Sequence, residues 1–465
     1  MIGFVRELAR PENRRTAWIA LLAALGGLLF GFDTGVVGSA EPYFSKALGI
    51  GSFGESWVVG SLLLGAVCGA ALAGYLADAI SRKWTKFVGG CIFTVAALGS
   101  AFAPNVEFLC AARFVLGLAV GTASFVAPMY ISEQSPKRLR GGMTALNQVM
   151  ITLGILVAYL SDYGLSGFSD NWRWMFGVEA IPGLALAVAM VVVPHTPRWL
   201  VQHDRKDEAR EVLGRLRPES DVDDEIGEIE KVAGAQKRAR LSLLVSPRLR
   251  PFLVVGVGLA ILQQLVGINA VIYFGATILK FMGHSTNVAV YEAISLGIVN
   301  FVFAGVAALL LDVIGRRRLL VAGAVVMIAS LAALGWYFST ASSFQHAQAW
   351  IGLASVLGFL AGFEISLGPV FWLMISELYP LGIRSKAMAV STMANWLFNF
   401  LVSYFFLTMT KAIGNDGTFW FFGFFALCAL GFTIWKVPET KGRSLEEIEE
   451  ELGADASEAE AEVAA

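Results

Sequence analysis

The stretch GYLADAISRKW (residues 74–84) returns as ALLLDVIGRRR (residues 308–318), and this return decides the architecture. In both copies an apolar run reaches an aspartate, Asp78 or Asp312, with basic residues at the fourth and fifth positions beyond it. A second pair follows in the same order. SEQSPKRLRGG (132–142) is matched by SELYPLGIRSK (376–386), so that Glu133, Pro136 and Arg140 have counterparts in Glu377, Pro380 and Arg384. The offsets are 234 residues (312 − 78) and 244 residues (377 − 133). Two copies of one pattern, in one order, predict two like halves running in parallel.

Around these anchors the chain is oily. Of its 465 residues 56% are hydrophobic and 15% charged, with a mean hydropathy of +0.65. An ordinary soluble domain carries about 25% charged residues. A bilayer core about 30 Å thick needs roughly 20 apolar residues per helix. Twelve such runs lie near 17–38, 57–77, 86–103, 107–129, 142–163, 174–194, 251–279, 288–311, 319–338, 349–376, 386–410 and 418–437. They are too long and too uniformly apolar for barrel strands, which alternate over about 10 residues. Helices satisfy their own backbone groups in hydrocarbon. The expected fold is therefore an all-α membrane protein with twelve transmembrane helices in two pseudo-symmetric six-helix halves. Its units are an N-terminal half (1–194), a cytoplasmic helical linker (195–250), a C-terminal half (251–438) and a cytoplasmic tail (439–465).

Charge sets the orientation. Arg6, Arg10, Arg14 and Arg15 precede the first run, which places the N-terminus in the cytoplasm. With twelve crossings the even-numbered connections should be basic. They hold Arg82, Lys83 and Lys86, then Lys137, Arg138 and Arg140, the 195–250 stretch, Arg316 to Arg318, and Arg384 with Lys386. The odd-numbered connections hold only Lys46, Arg173, Lys280 and Lys411. Both termini are thus expected in the cytoplasm, and short loops point to a bacterial inner membrane. The first run is too long for the apolar core of a signal peptide. Cys68, Cys91, Cys110 and Cys428 lie in apolar segments without metal-ligand spacing and read as packing residues. The sequence offers no metal site, cofactor loop, nucleic-acid patch or nucleophile–base set, so an enzyme is not expected.

Four further stretches stand at helix ends in a familiar order. They are PMYISEQSPKRLRG (128–141), VPHTPRWL (193–200), QQLVGINAVIYF (263–274) and VPETKGRSLEEIEE (437–450). Together they resemble the sugar porter family of the major facilitator superfamily, and the resemblance covers nearly the whole chain. Two departures are His195–Thr196, where the family has Glu-Ser, and Ser81, where it has Gly. The resemblance implies substrate bound near the midplane between the halves, a plan consistent with parallel six-helix repeats. It also implies that Asp78, Arg82, Glu133, Arg140, Asp312, Arg316, Glu377, Arg384 and Glu439 form a network closing the cytoplasmic side. The plain alternative is a solvated rim that only sets topology.

Polar groups at membrane depth are costly and mark function. At 1.5 Å rise per residue, Gln263, Asn300 and Asn395 fall at similar heights in three different helices. An amide donates and accepts, as a sugar hydroxyl does; a lone amide is as readily helix–helix glue. By resemblance the sugar contacts are Gln148, Gln263, Gln264, Asn269, Asn300, Trp372 and Asn395, with Trp396 and Phe274 lining the same cavity and Glu364 acting on conformation. Gly368 and Pro369, just before Trp372, should break the tenth helix.

Asp33 lies inside the first apolar run, in FGFDTG (30–35), and Arg113 is the single charge within the fourth. Counted from opposite ends they reach a similar depth in the outer part of the same half. Each alone would cost roughly 2.5–3.5 kcal/mol, so pairing is expected. The pair is either a static bridge or a proton switch, because an Asp beside an Arg can take up a proton that the Arg cannot release. The resemblance favours the switch, since proton-coupled sugar porters carry Asp in this motif. Arg113 is also the only cation expected near the cavity. The sequence thus predicts a monomeric, proton-coupled monosaccharide symporter, with a hexose such as glucose ahead of a pentose. Its partners are sugar, protons and lipid. The rivals are a facilitative uniporter, a polyol or pentose symporter, and a sugar sensor that does not transport.

Overall fold

The computed structural model describes residues 13–136, 140–216, 222–227, 229–230, 244, 246–247, 249–344, 349–380 and 383–441. The first half contains α1 (Arg14–Leu48), α2 (Ser52–Ala79), α3 (Arg82–Ala101), α4 (Val106–Gln134), α5 (Arg140–Leu165), α6 (Asn171–Val178) and α7 (Ala180–Val192). Two short helices follow, α8 (Pro197–Gln202) and α9 (Lys206–Gly214). The second half contains α10 (Arg250–Leu265), α11 (Ile268–Tyr273), α12 (Gly275–Phe281), α13 (Thr286–Ile314), α14 (Arg316–Phe344), α15 (Ala349–Glu364), α16 (Leu367–Leu378) and α17 (Arg384–Lys436). Among the described residues eleven stretches are long and apolar enough to cross a membrane. The last of them, α17, breaks at Gly414 (φ 78°, ψ 167°), which makes twelve crossings.

Small residues bring the helices together. Lipid tails give no hydrophobic drive between helices, so close backbone approach and van der Waals packing must hold them. Gly31 of α1 faces the backbone of α5 so closely that a Cβ would lie 1.8 Å from the Ile151 carbonyl oxygen. Gly117 and Gly121 of α4 meet the Leu62 and Ala66 carbonyls of α2 in the same way. The two halves meet mainly where α5 packs on α13 and α2 on α17, and also where α1 touches α11 and α12.

Several crossings are broken, and the breaks have local causes. The tenth breaks at Ser366 (φ −132°, ψ −101°), one turn before the expected point, and Gly368 and Pro369 lie in the first turn of α16. Proline is tolerated there because no intrahelical bond uses its nitrogen, and its ring excludes a helical carbonyl four residues earlier, at Ile365. The seventh breaks at Gly267, whose φ of 90° is left-handed. The sixth keeps helical backbone through Glu179 (φ −56°, ψ −26°), although Pro182 three residues on has no N–H to donate. The first runs ten residues past its expected end at 38, through Pro42 to Leu48, where Gly49 caps it at φ 64°.

The linker helices pack on each other. Trp199, Leu200 and Val201 of α8 bury against Ala209 and Leu213 of α9 and against Val222 and Ile226. The Trp199 indole donates to the Asp78 carbonyl at 2.9 Å, tying this cluster to the end of α2. The end of the bundle where α1 begins and α8 and α9 lie is called the basic end below.

Candidate functional site

Asp33 and Arg113 are brought together by the packing of α1 against α4. Arg113 Nη1 lies 3.1 Å from Asp33 Oδ1, and Nη2 donates to Oδ2 at 3.5 Å. The side chains are 1% and 0% exposed. Arg113 Nε also donates to the Val58 carbonyl of α2 at 3.2 Å, and the guanidinium stands 5.2 Å from the Phe176 ring centroid. A buried charge needs such partners, since an unpaired one costs several kcal/mol. Two further carboxylates stand nearby, neither anticipated from the sequence. Glu179, at the α6–α7 junction, and Asp162, on α5, are fully buried; Glu179 has no hydrogen-bond partner among the described residues, and the Ser39 hydroxyl stands beside Asp162. Glu179 is within electrostatic reach of both Asp33 and Arg113.

Four of the expected amides form one chain. Asn269 Nδ2 donates to Gln264 Oε1 at 2.7 Å, and Gln264 Nε2 to Gln263 Oε1 at 3.3 Å. That same oxygen accepts from Asn395 Nδ2 at 2.5 Å. Gln263 Nε2 donates to the Leu367 carbonyl at 2.8 Å, just past the α15–α16 break. Gln148 reaches across the halves to Glu364 Oε2 at 3.4 Å. Asn300 is fully buried and neither of its amide atoms is paired among the described residues. A cleft between the halves is lined by Gly26, Gly27, Phe30, Ser124, Asn147 and Trp372, among others. Of the seven expected sugar contacts, Trp372 is the one that lines it. Trp396 borders it, its indole donating to Ser124 Oγ at 3.1 Å and its ring 5.1 Å from Phe30. Phe274 does not: it is fully buried, stacked on Phe406 at 5.2 Å. The Asp33–Arg113 pair also lies outside the cleft, within the first half. Lys86 corrects the expectation that Arg113 is the only cation near the cavity. It is buried, donates to the Ala23 carbonyl at 2.5 Å, and its Cε lies 3.8 Å from where a Cβ on Gly26 would be.

The charged motifs cluster at the basic end. Arg82 pairs with Asp78 at 2.9 Å and with Glu133 at 3.3 Å. In the second half Arg316 pairs with Glu377 at 2.9 Å. Glu439 accepts from the backbone N–H groups of Arg316 and Arg317 at 2.9 and 3.1 Å, a carboxylate on the N-terminus of α14, where orphan donors and the dipole favour it. Thr440 Oγ1 donates to Glu377 at 2.6 Å, and Arg384 Nε to the Tyr379 carbonyl at 2.9 Å. The side chains of Arg140 and Asp312 lie outside the described residues.

A family model described as "Sugar (and other) transporter" matches residues 19–452. The chain belongs to this sugar transporter family. It is 37% identical over 449 residues to a galactose–proton symporter of Escherichia coli, covering 96% of each chain. It is 38% identical over 455 residues to a D-xylose transporter of Levilactobacillus brevis, covering 96% of this chain and 98% of that one. Among solved structures it superposes with a TM-score of 0.82 on the proton:xylose symporter XylE of the major facilitator superfamily, from E. coli, at 31% identity over 94% of this chain and 99% of that chain.

This is thus a sugar transporter family member with the major facilitator fold, a family of transporters and not of enzymes. Its relatives include proton symporters of several sugars. Within that frame the two halves touch at both ends. Toward the basic end Ala73, Ala77 and Phe125 of the first half pack with Met388 and Ala389 of the second. At the opposite end the Tyr159 hydroxyl donates to the Ile272 carbonyl at 3.2 Å.

Proposed function

We propose that this transporter moves a monosaccharide together with a proton, by alternating access. The observation that carries the proposal is the fully buried Asp33–Arg113 pair at 3.1 Å, at membrane depth in a half that moves against its partner. A guanidinium keeps its proton, so the carboxylate is the group that can change charge. A carboxylate held by Arg113 and a neutral acid released from it favour different packings of α1 against α4, and a proton can then choose between access states. Sugar binds between the halves beside Trp372; for its hydroxyls to reach the Gln263, Gln264, Asn269 and Asn395 chain, with Gln148 and Asn300, the cleft opens wider than in this form, where of these residues only Trp372 lines it. Amides suit this because each both donates and accepts. A hexose such as glucose is the substrate this reading favours. The charged clusters around Arg82 and Arg316 serve as the cytoplasmic gate, with both termini in the cytoplasm of a cell membrane.

The test is uptake by proteoliposomes containing the purified chain, across a panel of hexoses, pentoses and polyols, with external pH recorded. The expected result is sugar-specific alkalinisation of the medium that tracks uptake. Uptake at full rate without any proton movement would replace symport by facilitated transport. Saturable binding without uptake would point to a sensor.

A further inference from the structure

Glu41 takes no part in the reading above. It lies on α1, eight residues beyond Asp33 and toward the end of the bundle opposite the basic end. Its side chain is 3% exposed, and it accepts a hydrogen bond from the hydroxyl of Thr277. Thr277 belongs to α12, so this bond runs from one half to the other. Two more cross-half contacts lie close by: Tyr43 donates to Asn287 at 3.3 Å, and Tyr159 to the Ile272 carbonyl. The charged groups facing Glu41 are Glu55 on α2 and Lys280 on α12, with Lys411 on α17 beyond Glu55. On α5, which packs along α1, the titratable groups of this end are Tyr159, Asp162 and Tyr163, and the His284–Glu292 pair lies on the second half. None of these forms an ion pair with Glu41 among the described residues.

A buried acid whose one bond is to a neutral hydroxyl is poorly matched to carrying charge, because desolvation is not repaid by an opposite charge. The same carboxylate in an opened seam would face water. Protonated, it still bonds Thr277 and no longer carries the charge that makes burial unfavourable. We propose that Glu41 is the outer latch of the transport cycle: its bond to Thr277 closes the seam between the halves opposite the basic end, and a proton taken from that side favours the closed form. This rests on the alternating-access reading, which supplies the opening of that seam, but not on Asp33 being the coupling site.

The experiment reads the seam directly, without sugar or gradient. Ser45 lies one turn beyond Glu41 on α1, is 9% exposed and donates to the Glu41 backbone carbonyl at 2.7 Å, so Ser45→Cys reports to an impermeant maleimide how far the surroundings of Glu41 open, every variant being compared on this same background. The chain without this reporter, in reconstituted membranes, gives the blank for the native cysteines. Each rate is divided by that of a small free thiol at the same pH, because maleimide is attacked by the thiolate; so corrected, the reporter should label more slowly in mildly acidic than in mildly alkaline medium. Glu41→Gln keeps the bond without the charge and should label slowly at both. Glu41→Ala should label about fivefold faster than Glu41→Gln, the ratio set by one hydrogen bond of about 1 kcal/mol. Thr277→Val, which keeps the shape and loses the hydroxyl, should also label faster than the parent. The pH response should survive Asp33→Asn. A response that persists in Glu41→Gln, or that disappears in Asp33→Asn alone, overturns the latch. A chain that labels as stated yet moves no sugar keeps the latch and loses the transport reading, so the two failures are distinct.

Discussion

Arg113 holds Asp33 at 3.1 Å in a site with almost no exposure, and of the two side chains only the carboxylate can exchange a proton. Asp33→Asn should therefore abolish accumulation against a gradient and leave exchange down a gradient running. Tracer counterflow and net uptake, measured on the same vesicles, separate the two, and accumulation that survives in the variant would remove Asp33 from the coupling. At this scale the sequence was informative where a charge interrupts an oily run and has a partner at matching depth. Asp33 and Arg113 met that condition, and the neutral amides Gln263 and Asn395 met its polar counterpart, two costly groups at one height. Glu179, about five residues into the 174–194 run, and Asp162, at the end of the 142–163 run, were not singled out in the sequence. Their place beside the pair follows from the packing of α5, α6 and α7 on α1, which depth alone does not give. Lys86 was assigned to a basic connection by its neighbours, yet α3 begins at Arg82 and turns Lys86 inward onto the Ala23 carbonyl.

The helices record the repeat more faithfully than single residues do. The turn before α3 and the turn before α14 have nearly the same backbone: Ser81 at φ 85°, ψ 154° and Gly315 at φ 99°, ψ 159°. That region is one that glycine adopts readily and other residues only with strain of about 1–3 kcal/mol. The departure from glycine seen in the sequence thus falls on a position where the backbone demands one. Ser81 recovers part of the strain by accepting from the Trp84 N–H at 3.3 Å, and replacing such a cap by glycine costs only a few tenths of a kcal/mol. Ser81→Gly should then stabilise the protein by about 1 kcal/mol, read as a higher thermal unfolding midpoint in detergent. A midpoint that is unchanged or lower would mean that the turn holds no strain. Element existence was legible because each crossing is a long apolar run. Element breaks were legible only in part: proline marked the tenth crossing, but the break falls one turn earlier, because the residue that must leave the helix is the one four before the ring.

At the scale of the molecule the charges and the seams divide the work. Several ion pairs join groups of one half: Arg82 with Asp78 and Glu133, Arg316 with Glu377. They fasten helix ends within each half, so that each can move as a body, while apolar contacts and single hydrogen bonds join the halves across the seams. Such seams are weak enough to open and close in turn, and the direction of net movement must then come from a driving ion. One proton moving with each sugar brings about 2.3 kcal/mol per 100 mV of membrane potential, and about 1.4 kcal/mol is a factor of ten. The steady accumulation ratio of a one-to-one symporter should therefore rise tenfold for every ~60 mV of inside-negative potential. Vesicles clamped at a series of potassium diffusion potentials give that slope directly. A ratio independent of potential would mean that the two halves rock without carrying charge, and a slope twice as steep would require a second proton in each cycle.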